Sequence, residues 1–374
     1  MTRDVFPTGY RSSREAFLAQ CRAADAVVQS HSHPLPGSDG LVVTTDVASF
    51  GRREARRVLI VVSGTHGVEG LCGAGVQLGL LDRNLPGVLG DDVRLVLVHA
   101  LNPHGFLGLH RTNEDNVDLN RNFVAHDGAY PDDTRYAEVH SLLVPEDWDG
   151  PARAAADASL ERYVAQHGGR ALQAAVSRGQ YTHADGLFYG GRAPAWSNEL
   201  WRSLLHTHCG RASHVAVVDL HSGLGARGAC ELISGALTGT AELGAAHQYF
   251  GDGLVFPGLD STAPSGSGYM GLSLVEELPQ ARSALVVAEF GTEPFDRVFA
   301  ALRADNWLLA RGADAKPSLR SDVRAAMEAA FVGRDAAWQH AVVERGVEVC
   351  RRALAGLADA ATASAGGSMH EVAT

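Results

Sequence analysis

The residues of this chain that could do chemistry fall in four short segments. Gly64-Thr65-His66-Gly67-Val68-Glu69-Gly70 sets a histidine and a glutamate three positions apart. On a helical turn residues i and i+3 share a face, so both can address one ion. Asp219-Leu220-His221-Ser222-Gly223 adds a second histidine with a carboxylate two residues before it. Two neutral imidazoles and one carboxylate are the usual donors of a catalytic zinc site with an open fourth position. The third segment, Arg111-Thr112-Asn113-Glu114-Asp115-Asn116-Val117-Asp118-Leu119-Asn120-Arg121-Asn122-Phe123, follows Asn102-Pro103-His104-Gly105. Arginine offers a planar fork for bidentate carboxylate recognition, although on local sequence Arg111 and Arg121 equally suit ion pairs with Glu114, Asp115 and Asp118. The fourth segment, Glu289-Phe290-Gly291-Thr292, carries a carboxylate that can act as a general base toward water.

A histidine in a chain with 17 of them is more often structural than a ligand, and His-x-x-Glu alone is a weak motif. Position strengthens it. Residues 57–63 hold Val-Leu-Ile-Val-Val, apolar on both faces as a central strand covered by helices should be. That run leads into the Gly64 turn and a helix over 73–81. Further strands are expected over 41–50, 93–100, 215–220 and 284–288, which leaves Asn102, His221 and Glu289 just past strand ends. In an open α/β sheet that edge is where ligands bind. A helix over 12–26 is expected, with Phe17, Leu18 and Cys21 on one face and Ser12 or Ser13 as N-cap. Residues 126–212 read as an insertion with an Ala-rich helix near 152–176. Its Tyr181, Phe188, Tyr189, Trp196 and Trp201 either wall the site or fill the insertion's own core. From 296 the pattern is helical through Leu357, and the small, polar stretch 361–374 is expected to be disordered.

Composition narrows the classes. The 374 residues carry 32 basic and 43 acidic side chains, a net charge of −11, and 45% are apolar. That is ordinary globular composition, and its acidic balance argues against a phosphate-neutralising nucleic-acid binder. Lys316 is the lone lysine, which excludes a P-loop and disfavours Schiff-base chemistry. Five scattered cysteines form neither a disulfide framework nor a Cys-x-x-Cys zinc site. No basic start precedes an apolar run and no apolar window approaches ~20 residues, so a cytoplasmic location without membrane contact is expected. Gly67, Gly70, Gly73 and Gly75 break the dinucleotide pattern at Leu78, and no Gly-x-Ser-x-Gly elbow exists. His31-Ser32-His33 and His206-Thr207-His208 have no carboxylate or strand end beside them and read as surface histidines.

Taken in order, His66-x-x-Glu69, Arg111, Asp118-x-Asn120-Arg121, Asp219-x-His221 and Glu289 resemble the zinc carboxypeptidase superfamily, which also contains aspartoacylase and succinylglutamate desuccinylase. The likeness spans roughly residues 40–295. More narrowly it is similar to a bacterial branch that shares the 113–123 run and a loop with Gly179-Gln180-Tyr181, Tyr189-Gly190-Gly191 and Trp196-Ser197-Asn198. The resemblance implies an α/β fold: a central mixed, mostly parallel sheet of about eight strands flanked by helices. It implies a single zinc-hydrolase domain over 1–360, with the 126–212 insertion and C-terminal helices outside the shared scaffold.

The roles implied are these. His66, Glu69 and His221 bind one zinc ion per chain. Asp118 and Asp219 stand behind the ligands, Asp118 fixing the tautomer of an imidazole. Arg111 polarises the scissile carbonyl, Asn120 and Arg121 hold a substrate carboxylate, and Glu289 takes a proton from metal-bound water and passes it to the leaving amine. Tyr269, in a Gly-Ser loop, is the candidate for a mobile tyrosine. The implied substrate is a small amide bearing a carboxylate, an N-acyl amino acid, with a short peptide cut by a carboxypeptidase as the alternative. A catalytically silent metal- or carboxylate-binding module is a distant third, because binding alone needs no base. Association with further copies of the chain is left open.

Overall fold

A computed structural model describes residues 6–37, 40–131 and 134–366, with side chains described to residue 360. The strands are β1 (Val27–Ser32), β2 (Thr44–Phe50), β3 (Arg57–Ser63), β4 (Val93–His99), β5 (His214–Gly223), β6 (Cys230–Ile233), β7 (Leu254–Val255) and β8 (Arg282–Gly291). They form one eight-stranded sheet in the order β1-β2-β4-β3-β5-β8-β6-β7. The central strands β4, β3, β5 and β8 run parallel. Antiparallel pairs join β1 to β2, β2 to β4 and β6 to β8. The expected mixed α/β sheet, parallel at its centre, is what forms.

Alternation along the central strands sorts the core onto two faces, because successive side chains point to opposite sides. Leu59, Val61, Leu95, Leu97, Ala216 and Val218 belong to one apolar cluster, beneath the helices Tyr10–Ala23, Gly70–Asp82 and Ala241–Phe250 and the long C-terminal helix that starts at Ala336. Val58, Ile60, Val62, Val96, Val98, Val215 and Val217 belong to the other, with Trp201, Leu204 and Leu205 of the helix Trp196–Cys209. The inserted segment joins this packing, since Tyr136, Val139, Leu143, Leu160 and Leu172 lie in the first cluster. The second face is left open over β8, where Leu285, Val287 and Glu289 are only half-buried. That opening becomes the site.

Several local expectations shift. The first helix starts at Tyr10 with Gly9 at the N-cap, because the Ser13 hydroxyl turns inward to His99 Nε2 at 3.2 Å. The helix after the Gly64 turn begins at Gly70, not 73, and β2 begins at Thr44 rather than at 41. β5 and β8 run on to Gly223 and Gly291, so His221 and Glu289 lie within strand ends rather than past them. The Ala-rich stretch is two helices, Pro151–His167 and Gly169–Ser177, broken at Gly168 where φ is 85°. His33 and His208 are buried, not surface, residues: His33 sits 3.1 Å from Glu114 and edge-on to Trp196. The C-terminal helix runs to Gly366, and residues 367–374 of the expected disordered tail lie outside the described residues.

Candidate metal centre

β3 ends at Ser63, and the chain turns through Gly64 at a φ of 70°, which glycine adopts without steric cost. Gly67 passes so close to the next loop that a Cβ there would meet the backbone carbon of Gly105 at 1.9 Å. The same turn is tied to the segment carrying Arg111: Gly67 N–H donates to Arg111 O at 3.2 Å and Val68 N–H to His110 O at 2.9 Å. Backbone contacts therefore fix His66 and Glu69 relative to Arg111 before any side chain meets. On the sheet, β5 and β8 pair in parallel with His221 opposite Glu289. Asp219, His221 and Glu289 all point to the open face, by the same alternation that sends Leu220 and Ala288 to the other side.

The side chains converge as a buried cluster. His66 Nδ1 lies 2.9 Å from Glu69 Oε1, and His221 Nδ1 lies 2.9 Å from Glu69 Oε2. Donor atoms of the three residues lie within 4.8 Å of one another. The outer ring nitrogens meet carboxylates as well, His66 Nε2 at 3.1 Å from Asp118 and His221 Nε2 at 2.7 Å from Asp219. Asp118 also accepts from the Asn120 N–H and from Arg111 Nε, and Thr65 donates to Asp219 at 2.7 Å. Arg111 Nη1 reaches Glu69 at 3.2 Å. Glu69 is held below the usual carboxylate range: burial pushes it up, but the two imidazoles outweigh that. Asp118 is likewise lowered, its burial overcome by Arg111 and His66. His221 is raised well above its ordinary value by Asp219 and Glu69 despite its burial. Burial, then the Glu69 charge, pushes the Glu289 carboxyl up to about 8.

This donor set fits a divalent cation. A neutral imidazole carries one N–H; with that proton on Nε2 facing Asp118 or Asp219, the Nδ1 lone pair faces a Glu69 oxygen. Two electron-rich atoms at that distance are satisfied by a cation between them, or, with no metal bound, by the second ring proton that Asp219 and Glu69 favour on His221. The buried Glu69, Asp118 and Asp219 also outnumber Arg111 and Arg121, leaving an excess of negative charge that favours a bound cation. Carboxylates behind metal-binding imidazoles are the usual arrangement that fixes ligand tautomer.

Beside the cluster, a cavity of about 490 Å³ is lined by His66, Glu69, Arg111, Asn120, Arg121, His221, Tyr269 and Glu289 among others. All the residues given a metal, catalytic or substrate-holding role from the sequence reach its wall, and Asp118 and Asp219 stand directly behind the imidazoles. Arg121 is buried without a carboxylate partner in any ion pair of the described residues. Its guanidinium donates to Ser177 O at 2.7 and 3.1 Å and to Asn120 O at 2.7 Å. Asn120 Oδ1 is taken by the Met270 N–H at 2.9 Å, so its amide nitrogen remains for the cavity. Tyr269 lies under Arg121, ring centre 5.1 Å from the guanidinium carbon, with its hydroxyl donating to Pro264 O.

Sequence reasoning missed two contributors, Thr65 and the Leu224 N–H, and left open which insertion aromatic reaches the site. Thr65 sits inside the first motif, but its partner Asp219 is 154 residues away. The Leu224 N–H donates to Glu289 Oε1 at 3.2 Å, a backbone contact with no side-chain signal. Of the five insertion aromatics, Phe188 alone is on the cavity wall. It holds a left-handed φ of 51°, strained for a bulky residue, and its ring lies 4.8 Å from Arg111 and 5.6 Å from Arg121. Trp201 instead fills the core, donating to Ser273 at 2.8 Å.

Residues 6–345 match the family described as "Protein of unknown function (DUF2817)". The chain belongs to that family. No curated protein matches the DUF2817 chain. Among solved structures, carboxypeptidase A of Helicoverpa armigera is similar at 12% identity and a TM-score of 0.47, over 86% of this chain and 73% of that one. An aspartoacylase family protein of Mesorhizobium loti aligns at 15% identity and a TM-score of 0.35, over 77% and 67%. The ectoine utilization protein of Ruegeria pomeroyi, in a product-bound form, aligns at 16% identity and a TM-score of 0.38, over 76% and 67%. All three TM-scores lie below 0.5, so what the site does is read from its own geometry. Among the described residues, no helix is long and apolar enough to cross a membrane.

Proposed function

We propose that this DUF2817 chain is a zinc-dependent amidohydrolase that cleaves an amide next to a carboxylate in a small substrate. The observation that carries the reading is the juxtaposition of a carboxylate-backed His66–Glu69–His221 donor set with Glu289 at the register position opposite His221. A divalent ion, when bound, supplies Lewis acidity that polarises a carbonyl and acidifies a water. The chain's own residues supply the rest. Burial and the Glu69 charge hold the Glu289 carboxyl protonated while no metal is bound. The charge of a bound dication would favour its ionised form, which would accept the proton of the attacking water and return it to the departing amine nitrogen as the C–N bond breaks. Arg111, oriented by Asp118 and Glu69, presents its remaining N–H groups to the oxygen on which negative charge develops. Arg121 and the Asn120 amide hold the substrate carboxylate, giving the buried guanidinium the anion it lacks among the described residues. Removal of a C-terminal residue from a peptide uses the same groups.

The test is metal analysis followed by hydrolysis of N-acyl amino acids and of short peptides. About one zinc per chain is expected, lost in His66→Ala and His221→Ala. Methyl-esterifying the substrate or changing Arg121 to Met should raise KM by roughly 10²-fold, the cost of unpairing a buried charge-assisted contact. Equal hydrolysis of acid and ester would remove the carboxylate clamp, and zinc retained by both histidine variants would remove the ligand assignment.

A further inference from the structure

The cavity does not stop at the cluster. Its floor follows β8 backward from Glu289 through Val287 and Leu285 to Ser283. At ~3.3 Å per residue those six steps make a channel about 20 Å long. One side wall is the segment from Tyr269 to Val275, which packs against that floor: Tyr269 lies on Arg121, the Met270 N–H holds Asn120, and Gly271 adjoins the Leu285 side chain. The carboxylate clamp and the channel therefore share one wall. Among the described residues, no lysine or arginine beyond Arg111 and Arg121 lines the cavity, and the acids away from the cluster are Glu242 and Glu276, the latter paired with Arg202.

The far end opens to solvent through apolar residues. Leu237 is 74% exposed, Leu272 50% and Val275 48%, yet all three line the same cavity. Large exposed aliphatics gathered around one opening mark a surface that meets an apolar partner. An acidic substituent finds no cation there, and a short one leaves most of the channel wet.

We propose that the carboxylate-bearing half of the substrate carries a long apolar side chain, laid along β8 over Val287 and Leu285 and emerging between Leu237, Leu272 and Val275. This rests on the amidohydrolase reading for the placement of the carboxylate at Arg121 and Asn120. A substituent on the carbon next to that carboxylate enters the channel mouth beside Tyr269.

The experiment is a homologous series of straight-chain 2-amino acids, from alanine through norleucine and 2-aminodecanoic acid to 2-aminohexadecanoic acid, whose side chain approaches the length of the channel. Calorimetry measures binding of the free amino acids to the purified protein, and kcat/KM is measured on their N-acetyl derivatives. Both should climb about fourfold per added methylene until the channel is filled, following the transfer free energy of a methylene group. Leu285→Trp should bring the plateau at shorter chains, and Leu285→Ala, which keeps the fold safer, should make the climb shallower. Binding that climbs with length while no member is hydrolysed supports the channel and removes the amidohydrolase reading. Hydrolysis at a rate independent of chain length, or a preference for aspartate or lysine side chains, overturns the channel and leaves the reaction in place.

Discussion

Two strand ends on the same edge of the sheet hold a wholly buried histidine, and they treat it in opposite ways. His99, at the end of β4, has neutral partners: Ser13 Oγ and Gln77 Oε1, each at 3.2 Å, with Phe17 stacked on the ring at 4.6 Å. Burial pushes its pKa down to about 4, so it stays uncharged. His221, at the end of β5, meets a carboxylate at each ring nitrogen, and its pKa is raised instead. Burial is common to both; what differs is the charge placed around the ring. One environment excludes positive charge and serves the core, the other demands it and serves a site. The two faces of the sheet divide the labour, since His99 follows Leu95 and Leu97 onto the fully covered face and His221 follows Val215 and Val217 onto the face that is left open over β8.

If that division holds, changes at the open face should cost chemistry and leave the fold, with the largest effect at Glu289. Glu289→Gln keeps the shape but cannot accept a proton. It should lower kcat by about 10³-fold with zinc content unchanged and the thermal midpoint not lowered. Turnover within a few-fold of normal would make Glu289 structural and pass the base to another carboxylate.

At the covered face the reverse is expected, with stability and not turnover at stake. His99 binds a proton in the unfolded chain below pH ~6.5, but in the folded chain only below about 4. Between those values the unfolded state holds more protons, so stability falls as pH falls through that window. The full loss is on the order of 3 kcal/mol, a factor of about 10² in the folding equilibrium. His208, also buried and lowered to about 4, acts in the same sense. Urea unfolding from pH 7 to 4.5 should therefore show a shallower decline for His99→Gln than for the unmodified chain. Identical slopes would mean that His99 takes up its proton without unfolding, which would erase the contrast with His221.

The contrast also explains what the sequence could and could not disclose. The apolar run Val58–Val62 fits no element but a central strand, and the polar residues that follow it announce an edge where ligands bind. β1 escaped because Val-Val-Gln-Ser-His-Ser is an edge strand, half exposed and without an apolar face. β6 and β7 are too short to leave a pattern. Residue types pointed to His66, Glu69 and His221, since few side chains can bind a metal, and the fold brings those three together. What holds Arg121 did not show, because its partners are the carbonyls of Ser177 and Asn120, and a carbonyl looks the same behind every residue. The open channel was equally hidden, as nothing in Leu285 or Val287 distinguishes an uncovered strand face from a covered one.

The smallest effect should be the most informative, because it moves His221 toward the condition of His99. Asp219 accepts from Thr65 through Oδ1 and faces His221 Nε2 through Oδ2. Asp219→Ala removes the charge behind the imidazole but leaves the ring free to choose its tautomer. Loss of such a supporting carboxylate typically lowers metal affinity 10- to 100-fold. Asp219→Asn is nearly the same size as the native residue, so packing alone predicts that it is the milder change. Electrostatics predicts otherwise. With Thr65 still donating to the amide oxygen, the amide nitrogen faces Nε2 and donates to it, which forces the imidazole proton onto Nδ1, the atom that points at Glu69. A protonated Nδ1 cannot bind a metal. Competition titration with a zinc chelator should therefore rank the native chain tightest, Asp219→Ala next and Asp219→Asn weakest. If Asp219→Asn binds zinc more tightly than Asp219→Ala, Asp219 acts by filling space, and the carboxylate is not what separates His221 from His99.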